Sequence, residues 1–374
     1  MAYGTVNADV IGTSVSGSNL GAGNASIMKN RIINGAMVID QRNNGSAVTP
    51  NGQYTLDRWY AGNTQTGKYA VQQGNSSGPV GFVNYFIATS SSAYSVGSGD
   101  TFWIQQAIEG YNIADLGWGT ANAKTVTLSF QVQSSLTGTF GGCITNNATN
   151  RSYPFSYTIS LANTWTSISV TIAGDTSGTW LTNNSVGMLV RFGLGSGSTY
   201  SGTSGSWQAG NYVQPTGTVS VVGTNGAFLL FTGVQLEVGS SATGFEYRQY
   251  QQELALCQRY YLKINSANAG GSFMKYANAW VTSSSASMKF QIPFPVQMRV
   301  ASSSIDLPAN MSTNNLFAFY DGNSDFILTA ISIDQASPWL MGFTGTSSGM
   351  TAYRPGAVQS ENNNTSFIGI SAEL

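Results

Sequence analysis

Two stretches alternate apolar and polar side chains without interruption, Thr125-Val-Thr-Leu-Ser-Phe-Gln-Val132 and Thr166-Ser-Ile-Ser-Val-Thr-Ile172. A period of two is the geometry of an extended chain, in which successive side chains point to opposite sides; on a helix it would gather no apolar stripe. Each stretch therefore reads as a strand with one buried and one wet face. Apolar runs bounded by turn residues repeat the theme at Ile32 to Ile39, Tyr69 to Gln72, Phe82 to Ile87, Phe102 to Ile108, Ser185 to Phe192 and Gly226 to Leu236. That makes about eight to ten strands between residues 31 and 238, and a two-sheet sandwich of the jelly-roll kind buries one face of each.

The surface of such a sandwich has to be polar without being charged. Only 8% of the 374 residues are charged, against about 25% in an average soluble domain. The wet faces are therefore supplied by Ser, Thr, Asn and Gln, and the 44 glycines supply turns. With 18 Phe, 18 Tyr and 8 Trp the chain has ample apolar surface to bury, so it folds and does not remain disordered. The fold class expected is all-β.

A formal net charge of −1 with no basic stripe lacks the electrostatic footprint that governs affinity for DNA or RNA, so no nucleic-acid partner is expected. Apolar runs such as Ala227 to Phe231 are far shorter than the roughly 20 residues a spanning helix needs, and the first residues carry no charged and apolar leader. No membrane insertion is expected, and assembly in a cytoplasm is the expectation. Cys143 and Cys257 lie far apart in segments of different character, which suits reduced, buried thiols and no disulfide framework.

These patterns divide the chain into four segments. Residues 1–29, small and polar, read as an extended arm that either docks on a neighbouring subunit or assembly or stays disordered. Residues 30–246 hold the jelly-roll sandwich. Residues 247–261 read as a linking helix, with Tyr250, Leu254, Cys257 and Tyr261 at helical spacing on one side. Residues 262–374 return to strands, at Phe273 to Val281, Ser287 to Phe294, Ser304 to Leu307, Leu316 to Tyr320, Phe326 to Asp334 and Ser366 to Glu373, and make a second, smaller β-domain. Asp321-Gly-Asn323 is a hairpin turn between two of them.

Histidine is absent, which excludes imidazole acid/base chemistry, His-based triads and His-ligated zinc. Paired carboxylates could still cleave glycosidic bonds, but Asp57, Glu109, Asp115, Asp175, Glu237 and Glu246 sit in no catalytic pattern. Asp321-Gly-Asn-Ser-Asp325 begins like a calcium loop and then fails, with Phe326 where glycine is required and Ser332 where glutamate is required. No catalytic residue, metal or cofactor is assigned. Recognition remains. Aromatic faces stack on pyranose rings and amide or hydroxyl side chains match their hydroxyls. The candidates are Trp59, Tyr60, Trp118, Trp165, Trp180, Tyr200, Trp207 and Tyr212. Tyr200, Trp207 and Tyr212, carried on the long Gly/Ser/Thr loop from Gly193 to Tyr212, lead the set together with Trp59. Each has an alternative as a packing residue, and the loop is either a ligand-presenting element or a cover for the end of the sandwich.

A family resemblance enters at Asn30-Arg-Ile-Ile-Asn-Gly-Ala-Met-Val-Ile-Asp-Gln-Arg42 and Tyr54-Thr-Leu-Asp-Arg-Trp59. It continues through Thr232-Gly-Val-Gln-Leu-Glu-Val-Gly239, Phe245-Glu-Tyr-Arg248, Glu253-Leu-Ala-Leu-Cys-Gln-Arg-Tyr-Tyr261 and the terminal Phe367-Ile-Gly-Ile-Ser-Ala-Glu-Leu374. In this ordered series the chain resembles tail-fibre-like structural proteins of tailed bacteriophages. The resemblance implies a carbohydrate-binding-module-like jelly roll, a connecting helix, a C-terminal β-domain and, often, a homotrimer; it carries over no catalytic residue. Physically, Asn34-Gly35 reads as a tight turn or bulge, and Asp57 with Arg58 as a local ion pair. The leading expectation is a tail fibre or receptor-binding protein of the virion, attached to other virion proteins through the arm and binding a host surface polysaccharide. The alternatives are a capsid decoration or head-fibre protein with a structural role and, third, a polysaccharide-cleaving tailspike-type enzyme.

Overall fold

The computed structural model describes residues 29–266, 273–311, 313–362 and 364–374. The expected arm lies outside these, apart from Lys29. The chain divides into two compact units, Met1–Tyr250 and Gln251–Leu374, and both are built of strands.

The first unit is a two-sheet sandwich. Its strands, in chain order, are β1 (Gln53–Leu56), β2 (Trp59–Asn63), β3 (Tyr69–Gly74), β4 (Tyr85–Ser90), β5 (Thr101–Glu109), β6 (Val126–Ser134), β7 (Gly138–Asn146), β8 (Arg151–Ile159), β9 (Thr166–Ile172), β10 (Val186–Ser196), β11 (Ser201–Gly202), β12 (Gln208–Ala209), β13 (Gln214–Pro215) and β14 (Phe228–Val238). One sheet runs β3-β4-β14-β6-β9 and the other β1-β2-β5-β10-β7-β8-β12. Successive strands cross repeatedly between the two, so neighbours in a sheet are distant in sequence: β14 lies between β4 and β6. Both clean alternations are strands, β6 and β9, paired antiparallel from Val126↔Ile172 to Val132↔Thr166.

The inward residues of the two sheets meet in one apolar core. Trp59, Phe86, Phe192 and Phe231 are fully buried at its centre, with Phe192 and Phe231 stacked at 4.7 Å and Trp59 edge-on to Phe231 at 5.4 Å. Each such side chain contributes roughly 1.5–3 kcal/mol by leaving water.

Residues 30–41 correct one expectation. The run from Ile32 to Ile39 forms no strand, because side chains take many of its backbone groups and the remainder make a turn, Met37 N to Asn34 O, and a single bond from Val234 N to Gly35 O in place of a ladder. Gln106 accepts from Ile33 N and donates to Ile33 O, both at 2.8 Å. Asn34, at φ +57°, donates to Ile39 O and Asp57 O and accepts from Ile39 N. The Trp59 indole donates to Asn34 O. Gly35 is needed for another reason than positive φ: a Cβ there would overlap Val234 O. Asp57 accepts from Gln41 N and Arg58 reaches Ala107 O, contacts that tie this segment and β2 to the rest of the sandwich. Asn30 donates to Val234 O and accepts from Leu236 N, and Glu246 and Arg248 close on Asn30. The motifs scattered from Asn30 to Arg248 are therefore one hydrogen-bonded latch that joins the start and end of the sandwich.

The long segment after β10 departs from expectation too. Gly193 to Ser196 complete β10, and the residues beyond it are structured: β11 pairs with β13 in parallel, and β12 pairs with the β8 edge. β7 and β8 escape the pattern reading because Gly138–Cys143 resembles a turn; the glycines serve close packing instead.

The linking element, α1 (Tyr250–Gln258), is shorter than residues 247–261. Tyr261 is not helical; it opens a strand paired opposite Ser371. The expected apolar stripe is also absent: Tyr250 is 58% exposed while Glu253 and Cys257 are buried. Cys257 and Tyr261 are buried within the single chain, while Leu254 on the helix is partly exposed.

The second unit contains β15 (Tyr261–Asn265), β16 (Lys275–Val281), β17 (Ser287–Pro293), β18 (Ser304–Asp306), β19 (Phe317–Tyr320), β20 (Asp325–Ile327), β21 (Ala330–Ala336), β22 (Leu340–Thr346), β23 (Pro355–Ser360) and β24 (Phe367–Ser371). They form a three-stranded sheet, β15-β24-β18, and a seven-stranded sheet, β20-β19-β23-β16-β17-β22-β21. Phe290 and Phe343 stack at 4.8 Å in its core, beside buried Met288, Met341, Ile368 and Ile370. The run Phe326 to Asp334 is two strands, broken where Leu328 turns into the core. The Asp321 turn joins β19 to β20 as a hairpin. Its carboxylate accepts from Asn323 N and Ser324 N and pairs with Arg354 at 3.1 Å, which holds it below the usual carboxylate range.

Candidate ligand-binding groove

The aromatic candidates scatter. Trp59 is in the core and offers no face to a ligand. Trp118 and Trp180 are buried and pack edge-on with Trp207, whose ring centroid lies 5.3 and 5.5 Å from theirs. Trp207 is partly exposed, but its N–H donates to Ala173 O, Tyr153 packs on it and the Arg151 guanidinium sits 5.9 Å from its ring. Arg151 in turn is held by Asp175, which also takes the Trp180 N–H. This cluster seals the sandwich beside β8. Trp165 lies edge-on to Tyr85 and donates to Ser77 O. Tyr200 and Tyr212 belong to the β11–β13 segment, Tyr212 against Gly202. The structure thus does not gather Tyr200, Trp207, Tyr212 and Trp59 into one site.

A groove of about 390 Å³ opens instead on the outer face of the five-stranded sheet. Its floor comes from the polar half of the two clean alternations: Ser129 and Gln131 on β6, Ser167 and Ser169 on β9. Register sets them in rows, Gln131 opposite Ser167 and Ser129 opposite Ser169. Gln131 Nε2 donates to Ser167 Oγ at 2.8 Å and Gln131 Oε1 accepts from the same hydroxyl at 3.0 Å, which fixes the amide in place and leaves one N–H and one lone pair of it for a ligand.

The groove exists because the chain turns back over the sheet after β14. Buried Glu237 accepts from Thr243 N at 2.8 Å, Thr243 Oγ1 at 2.6 Å and Gln235 Nε2 at 2.8 Å. Gln235 Oε1 accepts from Glu246 N, Lys29 lies 4.0 Å from Glu237, and Thr171 Oγ1 donates to Ser240 O. So held, the segment raises Phe245 and Tyr247 into a wall with Phe82. Phe82 lies edge-on to Phe245 at 5.0 Å and stacks on Tyr247 at 5.6 Å. Tyr247 is 62% exposed, with its hydroxyl on Gly81 O.

In the sequence, Phe245 and Tyr247 belong to the run Phe245-Glu-Tyr-Arg248 and Phe82 to a strand pattern, and nothing local gives any of them a ligand role. The usable signal is the outward Ser/Gln set of β6 and β9; the aromatic wall emerges only once the return of residues 239–247 is known.

No family model matches the chain, and no curated protein matches its sequence. Among solved structures, 56% of the chain is similar to the enzymatically active domain of bacteriophage CBA120 tailspike protein 4, at 13% identity and a TM-score of 0.31, covering 22% of that chain. A CBM4 structure matches over 55% of this chain and 98% of its own, at 16% identity and a TM-score of 0.28. The family 11 carbohydrate-binding module of the Clostridium thermocellum cellulosomal cellulase Lic26A-Cel5E matches over 54% and 99%, at 10% identity and a TM-score of 0.25. These likenesses assign no role to any residue.

Proposed function

We propose that the groove on the five-stranded sheet binds an uncharged stretch of host surface polysaccharide, and that the chain is a bacteriophage virion protein acting in receptor binding. The observation that carries the binding reading is the pairing of a hydroxyl-and-amide floor with an exposed aromatic wall. Ser129, Gln131, Ser167 and Ser169 match sugar hydroxyls, and Tyr247 with Phe82 offers ring faces to pyranose carbons. The groove lining includes no carboxylate, so the acid pair that glycoside cleavage requires is not at hand there, which favours binding without catalysis. The virion assignment is supported by the motif series from Asn30 to Tyr261, whose first part is the latch of the sandwich.

An array of bacterial surface polysaccharides tests this with the full chain and with Tyr247→Ala and Ser167→Ala. Saturable binding of a neutral polysaccharide, weakened about tenfold or more by Tyr247→Ala, is expected. Absence of binding, or binding indifferent to both substitutions, contradicts it. Labelling of virions with an antibody to residues 262–374 is expected to mark the tail; label on the head would remove the adsorption role.

A further inference from the structure

The opposite face of the sandwich carries a buried charge that the groove does not use. On the outer side of the seven-stranded sheet, register aligns Tyr60, Gln105, Arg191 and Cys143 across β2, β5, β10 and β7. Arg191 is only 6% exposed. Its Nε donates to Gln105 Oε1 at 2.9 Å, and its Nη1 to Asn211 Oδ1 at 2.8 Å and Tyr212 O at 3.3 Å. Among the described residues no carboxylate pairs with it, and its Nη2 makes no hydrogen bond. A guanidinium this deeply placed is ordinarily matched by an anion, because neutral acceptors return only part of its lost hydration.

Two further valences beside it are unmet. Trp103 lies 5.9 Å from the Arg191 guanidinium carbon, and its buried Nε1 has no acceptor. Gln214 sits over Gly193, the residue opposite Trp103, and its buried Oε1 has no donor. These two atoms are themselves buried, so the group left to a ligand is Arg191 Nη2, set between partly exposed Tyr60 and Trp103 on one side and Asn211 and Tyr212 on the other.

We propose that this face is a second glycan site, selective for a sugar unit that bears a carboxylate. The carboxylate accepts from Nη2 of Arg191, the one guanidinium nitrogen without a protein acceptor, and the sugar ring lies along Trp103 and Tyr60. A neutral sugar would leave the guanidinium without its counter-charge and is discriminated against for that reason. The site is on the sheet opposite the groove and stands whether or not the groove binds.

Titration of the full-length protein with glucuronate, glucose and acetate, followed by tryptophan fluorescence and calorimetry, tests the assignment. Saturable binding of glucuronate, at least about tenfold tighter than glucose or acetate and weakened by added salt, is expected. Arg191→Gln should abolish it, and Arg191→Lys should weaken it about 10- to 100-fold, because an ammonium lacks the Nε and Nη1 bonds to Gln105 and Asn211 that aim Nη2. Asn211→Ala, on an exposed residue, gives an intermediate loss and serves if Arg191 variants fail to fold by circular dichroism. Ser167→Ala and Tyr247→Ala should leave glucuronate binding unchanged. Equal binding of glucuronate and glucose, binding of acetate as tight as that of glucuronate, or no binding of any of the three would overturn the proposal.

Discussion

The two outer faces of the sandwich are covered by the same device and end in opposite states. On the five-stranded sheet, residues 239–247 return over the strands but are held by long side chains, Gln235 and Glu237, so a groove remains beneath them. On the seven-stranded sheet, β13 comes down directly, because Gly141 and Gly193 present no Cβ where Pro215 and Gln214 rest. Serine and glutamine under a returning segment leave room for a ligand; glycine lets the backbone close. The consequence is one uncharged surface with a groove over it and one closely covered surface in which Cys143 is fully buried while Arg191 keeps a small exposed portion.

The difference can be broken most severely at the closed face. Gly141→Val would drive its side chain into Pro215, and a loss of about 3 kcal/mol is expected, read as a lowered midpoint in urea. Next in size is Glu237→Ala, which strips the acceptor from Thr243 N and Gln235 Nε2; about 2 kcal/mol and new protease sensitivity at residues 239–247 are expected, with Cys143 still protected. Alkaline pH probes the interior by a different route. Burial pushes the Cys143 thiol up to about 12 from 9.0, and raises the Tyr69 and Tyr157 hydroxyls above their ordinary 10.0. The unfolded chain releases these protons first, so stability should fall as pH rises from about 9 towards 12, and Cys143→Ala should flatten the start of that fall. Gln131→Ala, at the open floor, should change stability by no more than about 0.5 kcal/mol while weakening sugar binding.

Much of the sandwich is legible in the chain itself. The alternation at Thr125–Val132 places Leu128, Phe130 and Val132 inward and Ser129 and Gln131 outward, as β6 does. Where local pattern fails, a long-range contact has won. Tyr261 continues a helical spacing yet pairs with Ser371, because ladder formation with β24 outweighs one more turn of a short helix. Ile32 to Ile39 has the composition of a strand, but Asn30, Asn34 and Gln106 take its backbone groups. The binding surfaces are the least legible. Trp59 and Trp207 carry the right side chain in packed positions, whereas Tyr247 and Arg191 acquire their settings from segments that return from elsewhere in the chain.

The most direct test of two separate glycan faces is chemical-shift mapping of the isotope-labelled protein with a neutral polysaccharide fragment and, separately, with glucuronate. The neutral fragment should perturb the amides of Gln131, Ser167, Phe245 and Tyr247, and glucuronate those of Trp103, Gln105, Arg191 and Asn211. Perturbation by both ligands of one shared set, or of the Trp118–Trp180–Trp207 cluster in place of either face, would contradict the account.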